Sequence, residues 1–163
     1  MVEMEDGLLL IYIKYFLKII KHKMYVLSAV PSCRKMLLRL ILHDMSKFLP
    51  SEFFSYARYW GTEPKKRSVH VINAFECANR LHNKRNKHHW EHWVVDYKDK
   101  IANPMDVLSV SEMLYDWRAA GLAYKGVDDS GEYYEKNSSK MILNDSTRAQ
   151  VDAFFARPPT ARS

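Results

Sequence analysis

Apolar residues recur at helical spacing in several long segments of this 163-residue chain. In residues 8–29, Tyr15, Ile19 and Val26 fall on one helix face, at positions i, i+4 and i+11. Only five glycines and few β-branched runs occur, so little in the sequence favours a sheet. The pattern predicts an all-α protein, a single compact domain of six to seven helices.

Seven segments have the pattern of a helix, namely residues 8–29, 33–44, 49–60, 69–83, 106–124, 132–141 and 146–155. Pro50 near a helix start and Gly61 after that helix's end match the known positional preferences of these residues. Ser109 and Glu112 could form a capping box, which would start the fifth helix a few residues later. The domain is predicted to span residues 1–156, followed by a disordered tail at 157–163.

Charge and cysteine content restrict the classes of function. The net charge is +6, which suits a phosphorylated ligand or nucleic acid, although each basic cluster could equally be a solvated surface. Lys14, Lys18 and Lys21 interrupt the N-terminal apolar segment, so it predicts an amphipathic core helix without a membrane span. Cys33 and Cys77 form no disulfide or metal-binding pattern, and a cytoplasmic location is therefore expected.

Histidines and aspartates interrupt the apolar stripes of four predicted helices. His22 and His82 lie within such stripes, His43 and Asp44 end the second helix, and Asp116 lies within the fifth. Each alone could be a locally satisfied core residue, and an aspartate could also be a helix cap or a buried ion pair. Buried carboxylates need compensation, and histidines with carboxylates match the ligands of a divalent ion. The set predicts a site for Mn, Fe, Co, Ni or Zn.

The order of these residues resembles the signature of the HD-domain superfamily of metal-dependent phosphohydrolases. That signature is a histidine, a later His-Asp pair and a distant aspartate, here His22, His43-Asp44 and Asp116. "HDMSK" is similar to the HDxxK form of the dinuclear branches, which implies that Lys47 contacts substrate. "HHWE" is similar to the HHE segment of the HD-GYP cyclic-dinucleotide phosphodiesterases. The GYP signature is absent, so cyclic di-GMP specificity is not implied.

The resemblance implies an HD-type fold holding one or two divalent transition-metal ions. The dinuclear branches carry two further histidines, and the implied metal ligands are therefore His22, His43, Asp44, His82, His89 and Asp116. It also implies hydrolysis by a metal-activated water. Asp44 would then bridge two ions, and Lys47 would neutralise developing charge, which makes these two the candidate catalytic residues.

Three further residues near His89 are predicted to support the ligands, namely His88, Glu91 and His92. His88 and His89 are adjacent, so on regular backbone they cannot both face one ion. Glu91 could accept a hydrogen bond from an imidazole or be a surface charge, and His92 is also a rival ligand. The candidate phosphate-binding residues are Lys47, Lys84, Arg85 and Arg118. Arg118 lies about 200° around the helix from Asp116, so an ion pair is the alternative.

The chain is most similar overall to a family of small uncharacterised bacterial and phage proteins. The shared motifs are HDxSKF, FxxYARY, HHWEHW and DWRAAG, and they cover about residues 20–148. The expected function is metal-dependent hydrolysis of a phosphomonoester or phosphodiester bond, with a nucleotide or other phosphorylated small molecule as substrate. The alternatives are a catalytically silent HD-fold regulatory protein that binds metal or ligand, and a basic nucleic-acid-associated protein. The sequence does not indicate an oligomeric state.

Overall fold

The computed structural model describes residues 2–28 and 34–156, with side chains from residue 7 onward. These ranges contain seven α-helices: α1 (Val2–Leu27), α2 (Arg34–Leu42), α3 (Pro50–Gly61), α4 (Val69–Arg85), α5 (Val107–Tyr124), α6 (Ser130–Asn137) and α7 (Asp145–Phe155). The predicted all-α class is confirmed. The tail predicted at 157–163 lies outside the described residues.

A short hairpin is the one strand structure in the described ranges. Strands β1 (Val94–Asp96) and β2 (Ile101–Ala102) pair antiparallel. They lie between the fourth and fifth predicted helices, where the sequence pattern predicted no helix. Asp96 closes the turn, because its Oδ1 accepts hydrogen bonds from the backbone N–H groups of Lys98 and Asp99. Such local side-chain bonds favour a turn over a helix.

Side-chain caps define where two of the central helices begin. Ser68 accepts a hydrogen bond from the backbone N–H of Val71 at the start of α4. Asp106 does the same for Ser109 at the start of α5, with a distance of 3.0 Å. Helix α5 therefore begins at Val107, and Glu112 is not used in a capping box but is buried within the helix.

Helix α1 is the central element of the packing. It packs against α3 and α5, and α3 in turn packs against α4. One face of α1 is buried in two core clusters through Tyr15, Ile19 and Val26, whereas Leu17 and Met24 on the other side are exposed. In the described part of the chain, no helix has the length and apolar content needed to cross a bilayer.

The chain changes direction sharply at the end of α2. Asp44 adopts the left-handed conformation, with φ 57° and ψ 16°, and a single 3₁₀ turn (Met45–Phe48) follows. This conformation costs a residue with a side chain roughly 1–2 kcal/mol, and aspartate is among the residues that tolerate it best. The turn leaves His43 and Asp44 both buried, each 2% exposed.

Candidate metal centre

Histidine and aspartate side chains from distant parts of the chain meet in the interior. Helix α1 contributes His22, the end of α2 contributes His43 and Asp44, and α5 contributes Asp116. Helix α4 contributes His82, and the loop between α4 and β1 contributes two more histidines, His88 and His89. All these side chains are buried except Asp116 and His89, which are partly buried.

The first ligand set consists of His22, His43, Asp44 and Asp116, whose ligand atoms all lie within 4.8 Å of one another. His22 Nε2 lies 2.9 Å from Asp116 Oδ1 and 3.4 Å from His43 Nε2. His43 Nε2 lies 3.4 Å from Asp44 Oδ2. Two ligand atoms bound about 2.1 Å from one ion are about 3.0–3.4 Å apart in octahedral or tetrahedral geometry, so these spacings suit a metal ion.

The second ligand set consists of Asp44, His82, His88 and His89. Asp44 Oδ1 lies 3.2 Å from His82 Nε2 and 3.4 Å from His88 Nε2. Asp44 therefore presents Oδ2 to the first set and Oδ1 to the second. This is the arrangement of a carboxylate that can bridge two ions.

Several buried atoms of the second set have no hydrogen-bond partner. They are Asp44 Oδ1 and the Nε2 atoms of His82, His88 and His89. Buried polar atoms without partners are rare, because leaving one unpaired costs about 1–3 kcal/mol. A metal ion would supply the missing partner to all four atoms at once. These buried clusters can therefore hold a metal ion.

Two buried glutamates orient three of the histidines through contacts with their Nδ1 atoms. Glu112 Oε1 accepts hydrogen bonds from His43 Nδ1 at 3.2 Å and from His88 Nδ1 at 3.3 Å, which links one ligand of each set. Glu52 Oε2 accepts from His82 Nδ1 at 2.8 Å. Donation from Nδ1 leaves Nε2 of each ring free to bind a metal.

Arginines neutralise these two glutamates. Arg85 Nη1 donates to Glu52 Oε1 at 2.8 Å, and Arg39 Nη1 lies 3.6 Å from Glu112 Oε2. Burial alone would raise the pKa of Glu112, but its bonds from His43 and His88 outweigh burial and lower the pKa to about 2. Glu112 is therefore a carboxylate, and hence an acceptor, at neutral pH.

The protonation of the ligands follows from their surroundings. Burial alone would lower the pKa of His43, but the charge of Asp44 and bonds to Asp116 and Glu112 raise it to about 10. The pKa of Asp44 stays well below its usual range, because His43 and Lys47 outweigh burial. Burial and the neighbouring His88 hold the pKa of His89 well below its usual range, so its imidazole is neutral, the form that binds metal.

The structure brings all six predicted metal ligands into the two sets, with Lys47 Nζ donating to Asp44 Oδ2 beside them. The prediction for His88 needs correction, because its ring lies among the candidate ligands and not behind them. The reason is the backbone of this loop. Residues 86–89 form a turn in which the N–H of His89 donates to the carbonyl oxygen of Asn86 at 3.1 Å, so two adjacent side chains can face one site.

The other predicted supporting residues lie differently from expectation. The structure shows no hydrogen bond from an imidazole to Glu91, whose Oε2 is buried without a partner. His92 Nδ1 lies 2.7 Å from the carbonyl oxygen of Lys84, away from both ligand sets. Neither residue therefore supports a candidate ligand as predicted.

The predicted phosphate-binding cations are corrected in part. Arg85 is held by Glu52, and Arg118 Nε lies 2.9 Å from Asp128, so both guanidinium groups already have carboxylate partners. Lys84 is exposed on α4, and the structure shows no contact between it and the ligand sets. Lys47 alone of the four lies against a candidate ligand.

The profile of a family of unknown function, DUF5662, matches residues 12–157. That span includes every residue of both ligand sets. This chain belongs to the DUF5662 family. No curated protein and no solved structure matches the chain. Membership of an uncharacterised family is thus confirmed, and the likeness of this DUF5662 protein to the HD-domain superfamily stays a prediction.

Sequence reasoning missed the two glutamates that orient the histidines of this DUF5662 protein. Glu52 follows Pro50 in the first turn of α3, where acidic residues are common because they favour the helix dipole. Glu112 was considered only for a capping box with Ser109, as an alternative start of the helix. Its spacing of four residues from Asp116 places both on one face of α5, and this signal could have identified it.

A cavity of about 360 Å³ adjoins the candidate metal centre. His89 of the second set and Asp116 of the first set both line it, together with Trp90, Glu91, Trp117, Ala120, Gly121, Tyr124, Lys125, Asp129 and Tyr133. This volume lies within the range of small-molecule sites. A Cβ at Gly121 would lie 2.6 Å from the carbonyl oxygen of Val127, so glycine here lets the loop after α5 pack against the cavity wall.

Proposed function

We propose that this protein is a metal-dependent phosphohydrolase that acts on a phosphorylated small molecule, such as a nucleotide. The observation that supports the proposal most strongly is the carboxylate of Asp44, which faces both ligand sets at once. Hydrolysis of phosphate esters is a common use of two metal ions that share a ligand. The adjoining cavity offers room for the organic part of the substrate.

The chemistry follows from the residues around the centre. A divalent ion held by either ligand set would supply a water molecule of lowered pKa and a positive charge for a phosphoryl oxygen. Asp44 and Glu112 hold the two sets in fixed relation, and the ammonium group of Lys47 beside Asp44 can offset negative charge on the phosphate. The net reaction adds water across a P–O bond, giving phosphate and an alcohol from a monoester.

The imidazole and carboxylate donors favour Mn, Fe, Co, Ni or Zn over calcium. The two ligand sets suit two ions. We place the protein in the cytoplasm, because its cysteine pattern suggests no disulfide framework.

The proposal is tested by metal content and turnover of the full chain. Purified protein should contain a transition metal or bind added Mn²⁺, and should then hydrolyse members of a panel of phosphomonoesters and phosphodiesters. Asp44→Asn should abolish turnover, whereas His70→Ala on the exposed start of α4 should not. Full turnover in Asp44→Asn would refute the site. Metal binding without any turnover would point to a regulatory binding protein.

A further inference from the structure

Glu91 differs from the other acidic residues around the centre. Four carboxylates there each have a cationic side chain as partner: Asp44 with Lys47, Glu52 with Arg85, Glu112 with Arg39, and Asp129 with Lys125. Within the described ranges, no lysine, arginine or histidine lies at ion-pair distance from Glu91, and its Oε2 is buried without a hydrogen-bond partner. The described part of the chain therefore supplies no cationic partner for Glu91.

Aromatic side chains surround this carboxylate in the cavity. Trp90, Trp117, Tyr124 and Tyr133 line the same cavity as Glu91, and the ring centroids of Trp117 and Tyr133 lie 5.3 Å apart. Aromatic rings attract cations through their quadrupoles, and the attraction is strongest where water is excluded. The one lysine in the cavity lining, Lys125, is already paired with Asp129 and does not serve Glu91.

We propose that this cavity is a subsite for a protonated amine, so that the substrate is a phosphate monoester whose organic part carries an amino group. The inference rests on the proposed function, since the phosphate would lie at the metal centre. An ammonium group would supply a positive charge and an N–H donor to the carboxylate of Glu91, and a cation for the aromatic rings. A neutral nucleobase supplies an N–H donor but no charge.

The volume of the cavity sets the size of the group. About 360 Å³ accommodates an amino alcohol and also a hexosamine, while it is small for a polymer. The probes are therefore two pairs of esters that differ only at the amino group. Ethanolamine phosphate is compared with propyl phosphate, and glucosamine 6-phosphate with glucose 6-phosphate.

The experiment measures kcat/KM for both pairs with the Mn²⁺-loaded full chain. We expect at least one amino ester to exceed its neutral partner by about tenfold, which is the size of a desolvated cation–aromatic contact. Glu91→Gln keeps the shape of the side chain and should bring the two members of the pair within about twofold. Glu135→Gln, on the exposed surface of α6, is the matched control and should keep the preference.

Two results would overturn the inference while leaving the proposed function intact. One is equal hydrolysis of both members in both pairs, and the other is a preference that survives Glu91→Gln. Preferred hydrolysis of nucleoside monophosphates over every amino ester would also overturn it. If no phosphate ester is hydrolysed, the proposed function fails, and binding decides the inference. In that case ethanolamine phosphate should quench the fluorescence of Trp90 and Trp117 more strongly than propyl phosphate does. Equal quenching by the two esters would refute the subsite.

Discussion

Asp44 combines an unusual backbone conformation with an unusual number of partners. Its left-handed φ of 57° lets it follow His43 into the interior and present one oxygen to each ligand set. Asparagine also tolerates this conformation, so Asp44→Asn removes the charge without disturbing the turn. The roles of the two ligand sets can therefore be separated by substitution.

The first prediction concerns metal stoichiometry. Asp44→Asn should lose both ions, because each set loses its shared carboxylate, whereas His89→Ala should lose only the ion of the second set. Elemental analysis after dialysis against Mn²⁺ gives the number of ions per chain. Equal stoichiometry in the two variants would contradict the assignment of Asp44 to both sets.

The second prediction concerns Glu112. Glu112→Gln should weaken metal binding by about 10–100-fold at both sets. The neutral amide oxygen would be a weaker acceptor than the carboxylate for the N–H groups of His43 and His88. Calorimetric titration of metal-free protein with Mn²⁺ measures both affinities. Glu76→Gln on the exposed side of α4 is the control and should leave them unchanged. An effect on one affinity alone would exclude the linking role.

Helix α5 is the element that contributes most to the candidate centre. It carries Glu112 and Asp116 one turn apart, and its N-terminus is capped by Asp106. Arg39 of α2 contacts both Asp106, which caps α5, and Glu112, which orients two candidate ligands. One side chain therefore stabilises both the start of α5 and the candidate centre. The position of α5 thus depends on polar contacts as well as on its apolar face.

The third prediction follows from that cap. Asp106→Ala should lower the free energy of unfolding by about 1 kcal/mol, since the backbone N–H of Ser109 loses its acceptor. Asp106→Asn keeps an acceptor and should lose much less. Urea denaturation of the metal-free protein measures both changes. An equal loss in the two variants would show that the ion pair with Arg39, which both variants lack, matters more than the cap.

The helices were largely predictable from the sequence, and the contacts between them were not. The helical spacing of apolar residues predicted the positions of His22, His82 and Asp116, because a polar residue within an apolar helix face can be recognised from the sequence alone. The place of His88 among the candidate ligands was not predicted, because it depends on the irregular loop after α4. Glu52 was missed because its acceptor role exists only once α3 and α4 pack together.

At the scale of the whole molecule, a chain of net charge +6 encloses a strongly acidic centre. The carboxylates there are Asp44, Glu52, Glu112 and Asp116, and in the metal-free protein their charge is balanced by protonated histidine and by the side chains of Lys47 and Arg85. Since metal ions and protons compete for the same imidazoles, the stability of the molecule should depend on pH differently with and without metal.

The fourth prediction is a stability optimum for the metal-free protein. Glu112, with its pKa lowered from 4.5 to about 2, contributes stability above pH 4.5 that is lost as the pH falls toward 2. His43, with its pKa raised from 6.5 to about 10, contributes stability below pH 6.5 that is lost as the pH rises through 10. The combined contribution of Glu112 and His43 to the free energy of unfolding should therefore be greatest between pH 4.5 and 6.5.

Urea titrations in the presence of a chelator measure this dependence. In Mn²⁺ the decline between pH 6.5 and 10 should disappear, because metal binding displaces the proton of His43. Metal binding should also release protons at pH 7, seen as an enthalpy that varies with the ionisation enthalpy of the buffer. A metal-free protein whose stability is flat from pH 6.5 to 10 would contradict the role of His43.

The sharing of Asp44 and Glu112 between the two ligand sets has a consequence for how this protein can change over evolutionary time. A substitution at either residue alters both ion positions together. Neither position can acquire a different metal preference through these residues without affecting its neighbour. If ions occupy both positions, Asp44 and Glu112 would couple their metal preferences, and the two positions would change together.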